Sequence, residues 1–377
     1  MKFFHLSDLH LGKRVNEFSM MEDQAYILDQ VLELVRREKP QAVVIAGDVY
    51  DRAVPSAEAV QLLDDFLWNL SRLDTRVLLI SGNHDCPERM AFGGRLMEAS
   101  GIHIAPVYQG KVEQVTLEDE WGPVEFCLLP FVKPVTVRRY FPERTIQNYT
   151  QAMEAALSEL GEGSARRVLV THQYVTGADR TQSEELWLGG SEAVDGTVFE
   201  PFSYVALGHI HRPQTMTGGK VRYCGTPLKY SFSEVNDHKS VTVVELGETG
   251  EAAVTTLPLT PLREMRRVRG SFEELTAPAA LAAPGREDYL GITLTDQEDI
   301  PDGMRRLQMI YPNLMALEYD NLRTRTQNQV NAVQQVEEKS PLELFGELYQ
   351  TQNNKPMSPQ QEEYLEELIR EIWEEEA

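Results

Sequence analysis

Five short polar clusters hold the residues whose types and spacing suit chemistry: Asp8-Leu9-His10, Gly47-Asp48, Gly82-Asn83-His84-Asp85, His172 and Gly208-His209-Ile210-His211. Five of the chain's eight histidines lie in them, so imidazole is gathered there, not scattered. Oxygen and imidazole donors without thiolates suit Mn²⁺, Fe²⁺ or Zn²⁺ better than a soft metal or a closed structural zinc site. Asp8 with His10, and His209 with His211, each set two donors at alternate positions, which share a face in extended chain. Seven candidate donors (Asp8, His10, Asp48, Asn83, His172, His209, His211) are too many for one metal and suit two that share a carboxylate, with Asp48 the natural bridge. Metals ~3.5–4 Å apart clamp the attacking and leaving oxygens of a phosphoryl centre and supply a nucleophile near neutral pH.

The elements that must carry these clusters are apolar strands. Residues 41–46 (Gln-Ala-Val-Val-Ile-Ala) form the nearly unbroken apolar run of a strand buried on both faces. Residues 76–80 and 167–171 repeat the pattern. Between them, residues 21–38 are rich in helix formers, and Val60, Leu63, Leu67 and Leu70 recur at helical spacing over 57–70. Alternation of this kind predicts an α/β fold. Each polar cluster then stands at the carboxyl end of a strand, where open α/β sheets gather their ligands. Beyond Val205 the strands crowd together, and 221–224, 240–246 and 252–257 read as hairpins.

Length and composition set the frame. A chain of 377 residues allows two or three domains and buries a core without staples. The three cysteines (Cys86, Cys127, Cys224) are widely spaced, which fits a reducing, cytoplasmic setting. No apolar run approaches the ~20 residues of a membrane helix, and Met1–Leu6 reads directly as a first strand. The net charge of −23 argues against a stand-alone nucleic-acid binder. From Glu337 onward 12 acids face 3 bases, so −9 of that charge sits in the last 41 residues. Metals or a partner must supply much of the positive field.

Arg263, Arg266, Arg267 and Arg269 cluster ahead of an Ala/Pro-rich stretch at 276–285, which marks a boundary. Three units follow: a domain over 1–265, a small α/β cap over 270–325 with strands near 289–294 and 314–319, and a tail over 338–377. A Gln/Asn-rich linker at 324–335 precedes the tail. Ser340-Pro341-Leu342-Glu343 and Ser358-Pro359-Gln360-Gln361 both have the form of a capping box. They predict two amphipathic helices, with stripes Leu344, Phe345, Leu348, Tyr349 and Tyr364, Leu365, Leu368, Ile369, Ile372, Trp373.

The five clusters, in this order and spacing, resemble the calcineurin-like metallophosphoesterases. The finer resemblance is to the nuclease subunits of bacterial SbcC–SbcD complexes. It rests on Phe4-His5-Leu6-Ser7-Asp8-Leu9-His10-Leu11-Gly12, Ala46-Gly47-Asp48-Val49-Tyr50-Asp51-Arg52, and the run from Gly225-Thr226-Pro227-Leu228 to Ser233-Glu234. Pro341-Leu342-Glu343-Leu344-Phe345 adds to it. The resemblance implies two sheets flanked by helices, plus the cap and a C-terminal helix-loop-helix. It implies that Asp8, His10, Asp48 and His211 hold one metal and Asp48, Asn83, His172 and His209 the second, both Mn²⁺. His84 would assist the leaving oxygen. The implied activities are 3′–5′ double-strand exonuclease and single-strand or hairpin endonuclease on DNA, in repair, replication and recombination. The tail would dock on an SMC-like ATPase of the SbcC type. A homodimer through 56–71 and 88–99 would complete a heterotetramer.

Other residues have plainer readings beside the functional one. Asp85 orients His84 or a ligand, or holds a turn. Asp51 stands where some relatives carry another histidine. Arg14, Arg52 and Arg89 each follow a metal motif and are candidate DNA contacts, or solvated arginines. His5 reads as packed core; His103 and His238 read as surface or strand-end residues. The other function classes are a small-molecule phosphodiesterase or pyrophosphatase on the same core, which leaves the tail without a purpose, and a non-catalytic scaffold, which leaves the full donor set without one.

Overall fold

The computed structural model describes residues 1–161, 165–184, 193–216, 218–321 and 357–375, with 342, 345, 346 and 349 between the last two spans. Two six-stranded sheets form its centre. The first runs Ala252–Pro258 (β14), Ser240–Leu246 (β13), Lys2–Leu6 (β1), Ala42–Ala46 (β4), Arg76–Ile80 (β5), Ile102–Ala105 (β6). The second runs Gln214–Thr215 (β11), Val221–Tyr223 (β12), Tyr204–Gly208 (β10), Arg167–His172 (β9), Gly122–Leu129 (β8), Glu113–Asp119 (β7). The chain β1-β4-β5-β6 is parallel, as are β8-β9-β10-β12. The crossovers of the first sheet carry a short hairpin, Arg14–Val15 (β2) with Phe18–Ser19 (β3), then helices Met21–Glu38 (α1), Ala57–Ser71 (α2), Pro87–Met90 (α3) and Gly94–Glu98 (α4).

The apolar runs explain the layering. In β4 every residue is buried. Val43 and Ile45 face α1 and α2, packing with Ile27, Val31, Leu63 and Phe66. Ala42, Val44 and Ala46 face the other sheet, with Val168, Val170 and Ala206. A strand buried on both faces needs this continuous hydrophobicity. Between the sheets Phe3 packs edge-on to Phe126 and Tyr204, with ring centroids 5.4 and 5.8 Å apart. Such pairs add about 0.5–1.5 kcal/mol beyond the area they bury. The outer face of the second sheet is covered by Pro134–Arg138 (α5) and Tyr149–Leu157 (α6), through Val137, Ala152, Met153 and Ala156.

Two expectations need correction. Val60, one of the four apolar residues at helical spacing on α2, is 45% exposed where the others are buried, because that flank of the helix opens onto a groove. Residues 221–223 are not simply a hairpin: β12 pairs parallel with β10 and antiparallel only with the two-residue β11. The β13–β14 hairpin is present, and β13 also lies antiparallel to β1.

A third sheet, Met265–Gly270 (β15), Tyr289–Leu294 (β16) and Leu314–Tyr319 (β17), is wholly parallel. The strand β15 fills the interval left between the two expected domains. Phe272–Thr276 (α7), Pro278–Leu281 (α8) and Gly303–Gln308 (α9) complete this unit. Its core gathers Leu275, Leu290, Ile292, Leu294, Leu307 and Leu314. It is fastened to α1 at Asp23, whose Oδ2 accepts from Arg263 Nη1 (2.9 Å) and the Tyr289 hydroxyl (2.6 Å).

The second tail helix, Pro359–Glu375 (α10), begins with the expected box. Gln361 N–H donates to Ser358 Oγ at 3.4 Å, and Ser358 N–H donates to Gln361 Oε1 at 2.9 Å. Tyr364 and Leu368 are exposed on it. The first capping box at Ser340 and the linker at 324–335 lie outside the described residues. No helix among the described residues is long and apolar enough to cross a membrane.

Candidate metal centre

All five polar clusters emerge at the same edge of the sandwich because their strands run parallel. Asp8 and His10 follow β1, Asp48 follows β4, Asn83 and His84 follow β5, His172 closes β9, and His209 and His211 follow β10. Asp8 N–H donates to Gly47 O (3.0 Å) and His10 N–H to Asp48 O (3.0 Å), so the first two loops interlock. Asp8, His10, Asp48 and His209 all have positive φ. Non-glycine residues in this region cost of order 1–3 kcal/mol and persist where surrounding structure holds them for function. Gly208 shows how tight the edge is: a Cβ there would lie 2.0 Å from Ala46 O and 2.6 Å from His172 Nδ1.

On one side Asp8, His10 and His211 each bring one ligand atom to within 4.8 Å of the others. The Nε2 atoms of His10 and His211 are 3.1 Å apart. Asp48 Oδ2 stands 3.7 Å from His10 Nε2 and 3.2 Å from His172 Nε2, and so lies between the two halves. On the other side Asn83 Oδ1 is 3.1 Å from His172 Nε2 and 3.0 Å from His209 Nδ1. The seven donors meet in one place, and all but Asn83 and His209 are under 3% exposed.

The chemistry of this donor set fits divalent cations. His172 Nδ1 donates to Ala46 O at 2.8 Å. Its Nε2 lone pair therefore faces a carboxylate oxygen and an amide oxygen, an arrangement that calls for a cation. Burial holds His209 down to about 3, and lowers His10 and puts His211 well below its usual value. All three are neutral imidazoles with a lone pair to give. Burial also lifts Asp8 to about 7, helped by the charge of Asp48 and opposed by His172. For His172 burial acts downward, yet Asp48 and Asp8 outweigh it and raise it to about 9. Asp48 stays ionised well below the usual range, because His172, His10 and His84 outweigh its burial.

The remaining candidates divide. His84 Nδ1 donates to Asp51 O at 3.1 Å, which turns Nε2 inward to 3.9 Å from Asp48 Oδ2. Asp51 pairs with Lys13 Nζ (2.7 Å) and faces His10 Nδ1 (3.6 Å). Asp85 contacts no donor side chain among the described contacts. Its carboxylate accepts from Val49 N–H (3.1 Å), Tyr50 N–H (2.9 Å) and Gly82 N–H (2.9 Å), tying the loops after β4 and β5 together. Arg14 turns back to the Glu17 carbonyl, Arg52 is exposed beside Asp51, and Arg89 lines the groove beside α2. His5 is buried, with Nδ1 3.0 Å from Tyr204 Oη and Nε2 3.2 Å from Leu207 O. His103 is half-buried and His238 is exposed.

Several residues of the site were missed. Lys13 pairs with Asp51, Ser183 meets His211 Nδ1 at 2.7 Å, and Glu184 Oε1 accepts His211 N–H at 2.7 Å. Glu234 alone carried a signal, as the end of the Gly225–Glu234 run.

Comparison with known proteins agrees with this geometry. Residues 1–213 match the calcineurin-like phosphoesterase family, and residues 261–353 match the type 5 capsule protein repressor C-terminal domain. The chain is 35% identical over 322 residues to the SbcD component of the SbcCD nuclease of Staphylococcus epidermidis, covering 84% of this chain and 85% of that one. The corresponding protein of Staphylococcus saprophyticus is 34% identical, with 84% of each covered. Among solved structures, the Plasmodium inner-membrane-complex anchor GAP50 has a TM-score of 0.41 at 11% identity, covering 69% of this chain and 89% of that one. Nothing about this chain's chemistry follows from so remote a likeness.

Proposed function

The chain belongs to the SbcD family of calcineurin-like phosphoesterases, which are metal-dependent nucleases, and from that premise we propose that it cleaves DNA as the nuclease subunit of an SbcC–SbcD-type complex. The observation that carries the reading is the convergence of Asp8, His10, Asp48, Asn83, His172, His209 and His211 on one edge, with Asp48 between the two halves.

Asp8, His10, Asp48 and His211 would hold one metal; Asp48, Asn83, His172 and His209 would hold the other. Two bound Mn²⁺ ions would neutralise the phosphate and activate water. The carbonyl of Asp51 fixes the ring of His84 so that Nε2 points at the centre. There the ring can hold a proton for the leaving oxygen, a task suited to imidazole near neutral pH. The activities this supports are 3′–5′ exonuclease on duplex ends and endonuclease on single strands and hairpins.

The partners follow from exposed apolar surface. Trp68 on α2, Phe92 between α3 and α4, and Leu96 on α4 are 60%, 86% and 81% exposed, and a groove of about 430 Å³ lies between these helices. We assign this face to a homodimer. The exposed Tyr364 and Leu368 of α10 support docking of the tail on an SMC-like ATPase. Two copies of each protein make a heterotetramer. Three free cysteines support a cytoplasmic setting.

The test is cleavage of end-labelled duplex and hairpin DNA with Mn²⁺, with and without the ATPase partner and ATP, beside a chromogenic phosphodiester. DNA cleavage that the partner enhances is the expected result. Turnover of the small ester with no action on DNA overturns the reading in favour of a metabolic phosphodiesterase.

A further inference from the structure

Behind His211 stands a buried polar cluster that the metal assignment does not use. His211 Nδ1 lies 2.7 Å from Ser183 Oγ, and Ser183 Oγ lies 2.6 Å from Glu234 Oε1. Glu234 is fully buried and surrounded by donors: Lys239 Nζ at 2.6 Å, Ser231 Oγ at 3.1 Å and Thr226 Oγ1 at 3.3 Å. The main chain of His211 is tied to the same cluster. Its carbonyl accepts from Lys239 Nζ at 2.9 Å, and its N–H donates to Glu184 Oε1 at 2.7 Å.

We propose that Glu234, acting through the Ser183 hydroxyl, is a positioning residue that locks His211 in the Nδ1–H tautomer and aims its Nε2 lone pair at the metal centre. The argument is one of proton counting. A serine hydroxyl has one proton. A carboxylate only accepts, and its short charge-assisted bond outcompetes a neutral one. The Ser183 proton therefore goes to Glu234. Thr181 Oγ1, 2.7 Å from Ser183 Oγ, has its own proton to give to Ser183 or to Glu184 Oε1 at 3.2 Å. The oxygen of Ser183 is left as the acceptor toward His211, so Nδ1 must carry the ring proton. Nε2 then has no proton, and it is the atom that faces His10 Nε2 at 3.1 Å. Partners of this kind set the tautomer and basicity of a metal-binding imidazole, and losing one costs about 10- to 100-fold in affinity.

Lys239 balances the charge of Glu234 in a pocket where their side chains are 5% and 0% exposed. Removing Glu234 outright would leave that ammonium only the longer pairing with Asp237 Oδ2, at 3.6 Å. Ser183 is the cleaner handle, since its loss leaves no charge unpaired.

The inference rests on the two-metal reading, and the experiment separates the two. In the metal-free full chain, long-range ¹H–¹⁵N correlations of ¹⁵N-histidine report the tautomer of His211. Mn²⁺ titration followed by the resonance of the free ion counts sites and affinities. The parent should show His211 as Nδ1–H and bind two Mn²⁺. Ser183→Ala should lose the fixed tautomer and weaken one site about 10- to 100-fold while the other is unchanged, and Ser183→Thr should restore both. An Nε2–H His211 in the parent, or Ser183→Ala binding Mn²⁺ as the parent does, overturns the proposal. A parent that does not bind two Mn²⁺ overturns the metal reading instead, and the tautomer still decides the relay.

Discussion

Asp48 Oδ2 and His172 Nε2 lie 3.2 Å apart, both buried, while the other nitrogen of the ring is committed to the Ala46 carbonyl. In the metal-free protein only a proton can bridge that gap, which is why His172 is raised to about 9 in spite of its burial. A metal held by His172 would take the same lone pair and displace the proton. Mn²⁺ binding at pH 7.5 should therefore release on the order of one proton from this pair, plus a fraction from Asp8, raised to about 7. Calorimetry in buffers of different ionisation enthalpy measures the release. Affinity should weaken as pH falls below about 9. Binding with no proton release would contradict the geometry.

His84 faces the site through Nε2, and neither proposed ligand set uses it. His84→Gln should leave two Mn²⁺ bound and lower DNA cleavage about 10²- to 10⁴-fold, the range for a general acid. Metal content and single-turnover rates on the same preparation check this. Retention of near-parental rates sinks the assignment.

His5 is buried and held neutral, lowered to about 3 by burial and then by the charge of Arg222. A base whose folded value is depressed favours the fold above its unfolded value of about 6.5 and opposes it below. The folded state should lose stability as pH falls from about 6.5 toward about 3, by roughly 2 kcal/mol at pH 5 from this residue. His5→Gln should flatten that limb. Urea midpoints between pH 5 and 7.5, in chelator, are the measurement. An unchanged slope would show that His5 is not the group responsible.

Trp68 and Phe92 are the exposed anchors of the proposed dimer face. Loss of a central aromatic anchor costs about 2 kcal/mol or more, roughly 30-fold in affinity. Trp68→Arg with Phe92→Asp should give monomers by sedimentation velocity while Mn²⁺ binding is kept. A dimer that survives both changes uses another surface.

The donors were legible because they sit at the ends of apolar strands, and parallel strands bring such ends together whatever their distance in sequence. Asp48 and His172 are 124 positions apart (172 − 48), yet each follows or closes a run that reads unmistakably as buried sheet. Ser183 and Glu184 carry no such mark. They lie on a loop, and their value comes only from contact with His211. The place of β13 beside β1 was hidden for a related reason, since it joins residues about 240 positions apart. Val60 misled because helical spacing identifies a stripe but not where the neighbouring surface ends.

The most direct test of the two-metal claim is anomalous diffraction at the manganese edge from crystals soaked in Mn²⁺, for the parent and for Asp48→Asn. The parent should show two peaks, one among Asp8, His10, Asp48 and His211 and one among Asp48, Asn83, His172 and His209. Asp48→Asn should lose or weaken both and, with them, several kcal/mol of rate enhancement, on the order of 10³-fold. A single peak in the parent, or full occupancy of both without the Asp48 carboxylate, would contradict the shared-carboxylate centre on which the account rests.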